Sequence, residues 1–554
     1  MTGKITGQFE LMATDMSPKN AALLTVGVAL LTHFIFNRYE PILFAIISFL
    51  LVLVPLCLSL PFQNSYGVSS SIGLSFTIYH ATLLASIAVY RLSPFHPLAR
   101  YPGPVLNKLS SWWLLRIGLS GKRHVFIQDT HRRYNSDVVR IGPNELSIVD
   151  PDAVIPVLGP NGLPKGPAWD GHVRHSPIRP VISWRNVLTH SKSRRGWMRA
   201  FSTTAVKEYE PILIDRVSQL VELIKSHEGR TANLSQLFRL FTYDFMEDMA
   251  FGGGTEVMRD GDTHGMVAFL RQAVEAMAIA EAVPWLSYYI PSTFHRFYMT
   301  SLLRAQERVQ KGSANKDAFY YLNNEGGMAQ EPHPVLVAVE GPLIIIAGSD
   351  TTSSTLSNIL WCIIAHPEVY RKLQAEVDRF YPPGESALNS TYHADMKYLD
   401  AVVNEVLRLY PTMPSNGQRA SQDQGIHANS IYIPPHTSVR IHIWTMWRDP
   451  RNFYPLTESF WPERWLIAQD PSLFDGKFVH NSESFNPFSY GPASCAGRNL
   501  ATKELRMVVC HLLQQVDLTF AEGYDPTEWE EKLRDPFTLQ TGPLPVNVTP
   551  RIKT

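Results

Sequence analysis

Phe488-Ser-Tyr-Gly-Pro-Ala-Ser-Cys-Ala-Gly497 sets one cysteine, Cys495, between two glycines, and Arg498-Asn-Leu-Ala-Thr-Lys-Glu-Leu-Arg506 after it reads as the start of a good helix. Gly497 lets backbone approach the sulfur closely. The amides and dipole at the N-terminus of that helix are expected to stabilise a thiolate and lower its pKa. A solitary cysteine is ordinarily packed as a small hydrophobe, but this glycine frame marks a sulfur that ligates. Cys57, Cys362 and Cys510 are widely spaced, with no Cys-x-x-Cys or His-x-x-x-His element. That pattern is neither a disulfide framework nor a zinc site, and it implies a reducing compartment. Any metal must arrive inside a cofactor.

A soft thiolate suits haem iron and pushes electron density toward oxygen, favouring O–O cleavage. The loop resembles the cysteine-ligand loop of the cytochrome P450 family, Phe-x-x-Gly-x-Arg-x-Cys-x-Gly, in which Phe488, Gly491, Cys495 and Gly497 all fall in register. Ala493 stands where the family usually has an Arg or His that contacts a haem propionate. The resemblance implies haem b (iron protoporphyrin IX), Cys495 as its axial ligand, and another cation serving in place of the one missing at Ala493.

Working back along the chain, Leu343-Ile-Ile-Ile-Ala-Gly-Ser-Asp-Thr-Thr-Ser-Ser-Thr-Leu356 lies inside a helical pattern from about His333 to Ile364. Gly348 and the Ser/Asp/Thr run are poor helix formers, together about 3–4 kcal/mol worse than alanine. A buried acid in an apolar helix is expensive without partners. A water-filled kink is the bland reading; local rules broken inside a consistent element point to function. The segment resembles the family's oxygen-activating motif, Ala/Gly-Gly-x-Asp/Glu-Thr-Thr. By that likeness Ala347 and Gly348 leave room for dioxygen, Asp350 with Thr351 relays protons, and Thr352 is structural.

Glu405-Val-Leu-Arg408 puts an acid and a base on one helix face, worth only ~0.2–0.5 kcal/mol on a surface. Pro462-Glu-Arg-Trp465 follows where the family places the Arg that completes a buried cluster, so Glu405, Arg408 and Arg464 are expected to fix the core beneath the haem. His190-x-x-x-Arg194 resembles the family's Trp/His-x-x-x-Arg helix, its spacing setting both side chains toward a propionate, and Arg419 sits where many members carry a further propionate Arg. A solvated basic face is the alternative for His190 and Arg194.

The 554 residues carry no formal net charge, which argues against a nucleic-acid partner. Charged residues make up 18%, against roughly 25% in soluble domains. The deficit is local, because between Asn20 and Tyr90 only Arg38 and Glu40 are charged. Three apolar stretches, near Ala21–Phe36, Pro41–Phe62 and Ile72–Tyr90, approach the ~20 residues of a membrane-crossing helix, the first being the weakest. A cleaved signal peptide would give one such block, not three. Arg91, Arg100, Lys108, Arg116, Lys122 and Arg123 follow the third stretch, while the loop from Gln63 to Ser70 is uncharged, so the large domain should face the cytosol. The sequons at Asn233, Asn389 and Asn547 then go unused. Pro94, Pro97, Pro102, Gly103 and Pro104 predict a stiff, extended hinge. The chain thus divides into a tail (1–20), an anchor of two to three transmembrane helices (21–90), a Pro-rich hinge (91–110) and a catalytic domain (111–554). The fold class expected is mainly α with small β-sheets, an α+β cytochrome P450 fold, including a hairpin over Asp137–Val149.

The resemblance spans residues 94 to 554 and has the flavour of fungal microsomal members. It implies a monooxygenase of the endoplasmic reticulum membrane, inserting one atom of O2 into a lipophilic small molecule, with a terpenoid-like secondary metabolite favoured over a sterol, a fatty acyl chain or an indole. No Gly-rich dinucleotide fingerprint or flavin segment appears, so electrons must come from a partner, expected to be an NADPH-dependent cytochrome P450 reductase. Lys192, Arg195, Lys503 and Arg506 are candidate docking cations. Pocket walls are expected from Trp169–Trp184, Ala278–Tyr289, the helix before Gly348 and Thr412–Asn416. Two other readings stay open: a reductase-independent isomerase or dehydratase on the same scaffold, and a membrane protein with a non-catalytic cytosolic binding domain.

Overall fold

The computed structural model describes residues 16–173, 179–290, 295–312, 316–327 and 334–551. The chain forms two compact units that divide after Ser110.

In the first unit, α1 (Pro18–Tyr39) begins at Ser17, whose hydroxyl accepts from the Asn20 N–H, with Pro18 fixing the first helical φ. The helical stretch α2 (Phe44–Tyr66) meets α3 (Val68–Leu92) at Gly67, where φ is 69°. All three helices are long and apolar enough to cross a membrane. Their polarity is inverted: Leu23, Leu31, Phe34 and Leu84 are exposed while Thr25, Thr32, Ser71 and Ser75 are buried. In α2 a five-residue π-helical turn, Phe49–Leu53, precedes Pro55, which has no N–H to give. The irregularity is closed by side chains. The Tyr79 hydroxyl donates to the Leu50 carbonyl (2.8 Å) and accepts from Thr32 Oγ1 (2.6 Å), and Ser75 Oγ donates to the Pro55 carbonyl (2.7 Å). Beyond α3 the prolines build successive turns, with amides of His96, Ala99 and Tyr101 each bonding three residues back, and not the extended rod expected. Proline's fixed φ serves a turn as well as an extended strand.

In the second unit we use α4 (Arg123–Tyr134), β1 (Val138–Gly142), β2 (Glu145–Ile148), α5 (Ala168–Gly171), α6 (Val187–Ala200), α7 (Leu234–Phe251), α8 (Met266–Ala282), α9 (Pro334–Ala365), α10 (Lys397–Leu409), β3 (Arg419–Ala420), β4 (Ser438–Ile441), α11 (Glu463–Ile467) and α12 (Arg498–Gln515). The expected hairpin is β1–β2, and the sheet runs β1-β2-β4-β3, with β2 parallel to β4 and the other pairs antiparallel. Helices dominate, as the fold class predicted.

The core is α7 packed along α9, each apolar on most sides, as befits helices buried all round. Gly348 owes its size to this contact: a Cβ there would lie 2.0 Å from Met246 Sδ. Its smallness therefore has a packing cause, distinct from the room for dioxygen expected at this position.

Two ion networks brace the unit with no exposed charge. Arg408 grips Glu405 with Nε (2.9 Å) and Nη2 (2.8 Å), while Arg464 Nε (3.0 Å), Trp465 Nε1 (3.0 Å) and the Trp461 amide (3.0 Å) complete the carboxylate's shell. Both arginines spend further N–H groups on carbonyls of Trp447, Thr457 and Leu456. In the second network Arg123 holds Asp535 (2.8 Å) and Glu281 (3.1 Å), and Arg440 holds Glu281 (2.6 Å) and Glu145 (2.6 Å). Arg123, counted above among basic residues flanking the third span, is thus a core residue.

Candidate active site

The loop carrying Cys495 turns at Gly491, where φ is +74° and a Cβ would lie 2.1 Å from the Leu158 carbonyl oxygen, so only glycine fits. The Cys495 amide donates to the Phe488 carbonyl (2.8 Å), closing the loop, and Arg498 lies over the Phe488 ring. Gly497 has φ −80°, and a Cβ there would be 3.9 Å from Sγ, an ordinary contact, so the described protein atoms do not demand a glycine. Cys495 presents free surface yet lies deep in the fold. Burial raises its thiol pKa, against the amides of Gly497 and Arg498 and the charge of Arg194. The expected net lowering by the helix N-terminus is outweighed by desolvation.

Beside this loop the fold gathers cations that no carboxylate partners. Lys165, His190, Arg194 and Arg419 interact with one another, and among the described residues none of them forms an ion pair. Lys165 pairs in an isolated β-bridge with Arg419 and donates to the carbonyls of Val181 (3.2 Å) and Ile182 (2.6 Å). Among the described residues, the hydrogen bond Arg194 makes is to Ser494 Oγ (3.4 Å) and that of the Arg419 side chain is to the Leu163 carbonyl (3.4 Å). Burial, then Arg419 and Arg194, bring the Lys165 ammonium down to about 7; burial brings Arg419 to about 10. Burial, then Lys165 and the two arginines, push His190 to about 3, so it is a neutral ring beside the three cations. Glu340 on α9 is the acid nearest this group, but it already accepts from the Val181 amide (2.9 Å), Trp197 Nε1 (3.1 Å) and Ser193 Oγ (3.4 Å), and burial raises it to about 8. A buried concentration of unpaired donors next to a lone sulfur fits a ligand with an iron and carboxylate arms. Lys165 was missed from sequence, where a single Lys before Gly166-Pro167 carries no signal.

On α9 the expected residues divide by helix face. Ala347 is exposed, and Thr351 Oγ1 donates to the Ala347 carbonyl (2.7 Å). Asp350 points elsewhere: it accepts a hydrogen bond from Thr538 Oγ1, with Arg239 and Arg271 behind it. Burial raises its carboxyl, and Thr538 first, then Arg239 and Arg271, oppose this. Thr352 is buried, in keeping with a structural part.

Next to Ala347, Ile346 joins an apolar cluster of Trp169, Ile182, Val274, Met277, Met413 and Phe537. Three of the four wall segments expected are represented. From α8 the contributors are Val274 and Met277, whereas Ala282 and Val283 pack away from it against Leu114 and Leu115. Of the four docking cations, Lys192 and Arg195 are exposed on α6, but Lys503 is held by Glu210 (2.6 Å) and Arg506 by Asp400 (2.7 Å), which neutralises them.

Residues 102–548 match the family profile described as Cytochrome P450. Among curated relatives, the chain is 33% identical to cytochrome P450 monooxygenase orf5 of Eupenicillium brefeldianum over 85% of this chain and 94% of that one. It is 31% identical to cytochrome P450 67 of Uromyces fabae (95% and 99%) and 30% identical to tryprostatin B 6-hydroxylase of Aspergillus fumigatus (88% and 87%). Among solved structures, the haem domain of cytochrome P450DA superposes with a TM-score of 0.66 at 19% identity, covering 78% of this chain and 94% of that one, a likeness of fold.

Proposed function

Because this chain belongs to the cytochrome P450 family, and is therefore an oxygen-incorporating oxidoreductase built around a haem iron, we propose that it hydroxylates a lipophilic metabolite with a terpenoid-like skeleton. The observation that carries the residue assignment is the set of unpaired buried cations beside Cys495. Bound there, haem b supplies the activation of dioxygen. Cys495 ligates the iron. Lys165, Arg194 and Arg419, with His190 as a neutral donor, hold the propionates that Ala493 cannot reach. Thr351 presents its hydroxyl on the exposed face with Ala347, and Asp350, kept beside Thr538, holds the proton that this face requires. The apolar cluster from Trp169 to Phe537 orients the substrate and excludes water.

Residues 21–90 serve as the anchor in the endoplasmic reticulum membrane, 91–110 as the hinge and 111–554 as the haem-binding unit in the cytosol, with electrons from an NADPH-dependent cytochrome P450 reductase. The relative that hydroxylates tryprostatin B supports a second substrate reading, a compound of that kind. The intact Asp350-Thr351 pair argues against a reductase-independent isomerase. The test is the visible spectrum of the reduced, carbon-monoxide-treated protein, followed by product analysis with NADPH, reductase and candidate substrates. Cys495→Ser should remove both the thiolate-haem spectrum and turnover; retention of both would overturn the assignment.

A further inference from the structure

His172 follows α5 directly and stands edge-on to two rings of the apolar cluster, with ring centroids 5.3 Å from Trp169 and 5.0 Å from Phe537; those two rings are themselves edge-to-face at 6.2 Å. Behind it lies Glu281, with Oε1 3.4 Å from His172 Nε2. Val274, Met277 and Glu281 are spaced three and four apart on α8, so the helix face that lines the cluster also carries this acid. Glu281 is not a free carboxylate. Its Oε2 is taken by Arg123 (3.1 Å) and Arg440 (2.6 Å), which leaves Oε1 for the imidazole. Burial alone would raise this carboxyl, but Arg440 and Arg123 outweigh it and keep it ionised.

An ionised carboxylate only accepts hydrogen bonds, so the imidazole nitrogen facing Glu281 is the one that carries the N–H, although at 3.4 Å it makes an electrostatic contact and not a hydrogen bond, and in the neutral ring Nδ1 is then the lone pair. Among the described residues Nδ1 has no partner. Of the described polar groups near this wall, Trp169 Nε1 donates to the Gln418 carbonyl (2.9 Å), Thr538 bonds Asp350 and Lys165 is bound to two carbonyls, while the hydroxyls of Ser183 and Ser415 and the Asn416 Nδ2 group are buried without a hydrogen bond. The remaining cluster members are aliphatic, thioether or phenyl groups. An acceptor set among apolar and aromatic side chains is an arrangement that selects a substrate through a donor.

We infer that His172, oriented by Glu281, is a specificity-determining residue of the substrate pocket and accepts a hydrogen bond from an N–H or O–H on an otherwise apolar, ring-bearing substrate. This rests on the monooxygenase reading and narrows its substrate class to donor-carrying molecules. Glu281 is a positioning residue, because it acts only through the ring it holds.

The test uses the full-length, haem-loaded protein and two probes that differ only in the donor, 2-naphthol and 2-methoxynaphthalene, with affinity read by equilibrium dialysis and by the Soret shift. The wild type should bind 2-naphthol roughly tenfold more tightly than its methyl ether. His172→Phe keeps the ring packing and should bring the ratio to within about twofold, with the affinity for the ether unchanged. His172→Asn sets an amide oxygen near the place of Nδ1 and should restore part of the preference. A wild type without preference, a ratio unchanged in His172→Phe, or no binding of either probe to a protein with a normal thiolate-haem spectrum overturns the inference. Absence of that spectrum in the wild type sinks the monooxygenase reading instead.

Discussion

The second unit buries charge in two opposite ways. Around Glu405 and around Glu281 every guanidinium meets a carboxylate. Around Cys495, Lys165, Arg194 and Arg419 meet, among the described residues, carbonyls and a hydroxyl. Closed networks of the first kind have their opposite charges matched within themselves and serve the fold. The open one has its pairing capacity unspent, and burial holds its cations below their ordinary pKa. A buried charge without a partner is costly enough that a fold retains several together only where an anion joins them.

The difference is broken most severely from the closed side. Arg408→Leu leaves Glu405 short of its bidentate partner and should destabilise the protein by about 3–5 kcal/mol, read as loss of soluble folded protein or a collapsed denaturant midpoint. The same change in the open group should act the other way: Lys165→Met and Arg419→Met leave the cofactor-free protein as stable as before or more so, but speed haem transfer to excess apomyoglobin roughly ten- to a hundredfold. If Arg419→Met unfolds the bare protein as Arg408→Leu does, the distinction fails.

pH sharpens the contrast. The Lys165 ammonium falls to about 7 in the fold, below its unfolded value, so between the two the unfolded chain binds more protons and folding strengthens as pH rises. The stability advantage of Lys165→Met over wild type in the bare protein should therefore shrink between pH 7 and 10, by at most about 1.4 kcal/mol per unit. A pH-independent difference would mean the ammonium is not desolvated. The smallest effect is expected at Asp350, which stands between the two cases with one hydroxyl and two more distant guanidinium groups. Thr538→Val removes the bond that favours the ionised carboxyl and fixes its position, so the alkaline limb of the pH–turnover profile, where Asp350 loses its proton, should move to higher pH by less than about one unit, while the lost positioning lowers turnover about fivefold.

What could be read from the chain follows the same line. Glu405 and Arg408 are one helical turn apart, the Cys495 loop is ten contiguous residues, and the Gly348–Thr352 run breaks local rules within one helix, so each was visible locally. Lys165 beside Arg419, His172 against Glu281 and Thr538 on Asp350 are made only when distant segments fold together, and no spacing announces them. The Gly348 signal was detected but its cause was hidden, because the steric demand comes from Met246 on another helix. The two arginines behind Asp350 were likewise beyond reach, since neither Arg239 nor Arg271 stands in a pattern of its own.

The hydroxyl of Tyr79 ties three backbone segments at one point, linking α1 through Thr32 to the irregular turn of α2. In hydrocarbon no water can take over either bond, so sliding any one helix past the others strands a hydroxyl or a carbonyl. Placed in a bilayer, the N-terminal unit would therefore move as a single float, not as three independent threads, and deleting its first helix should loosen the two that remain.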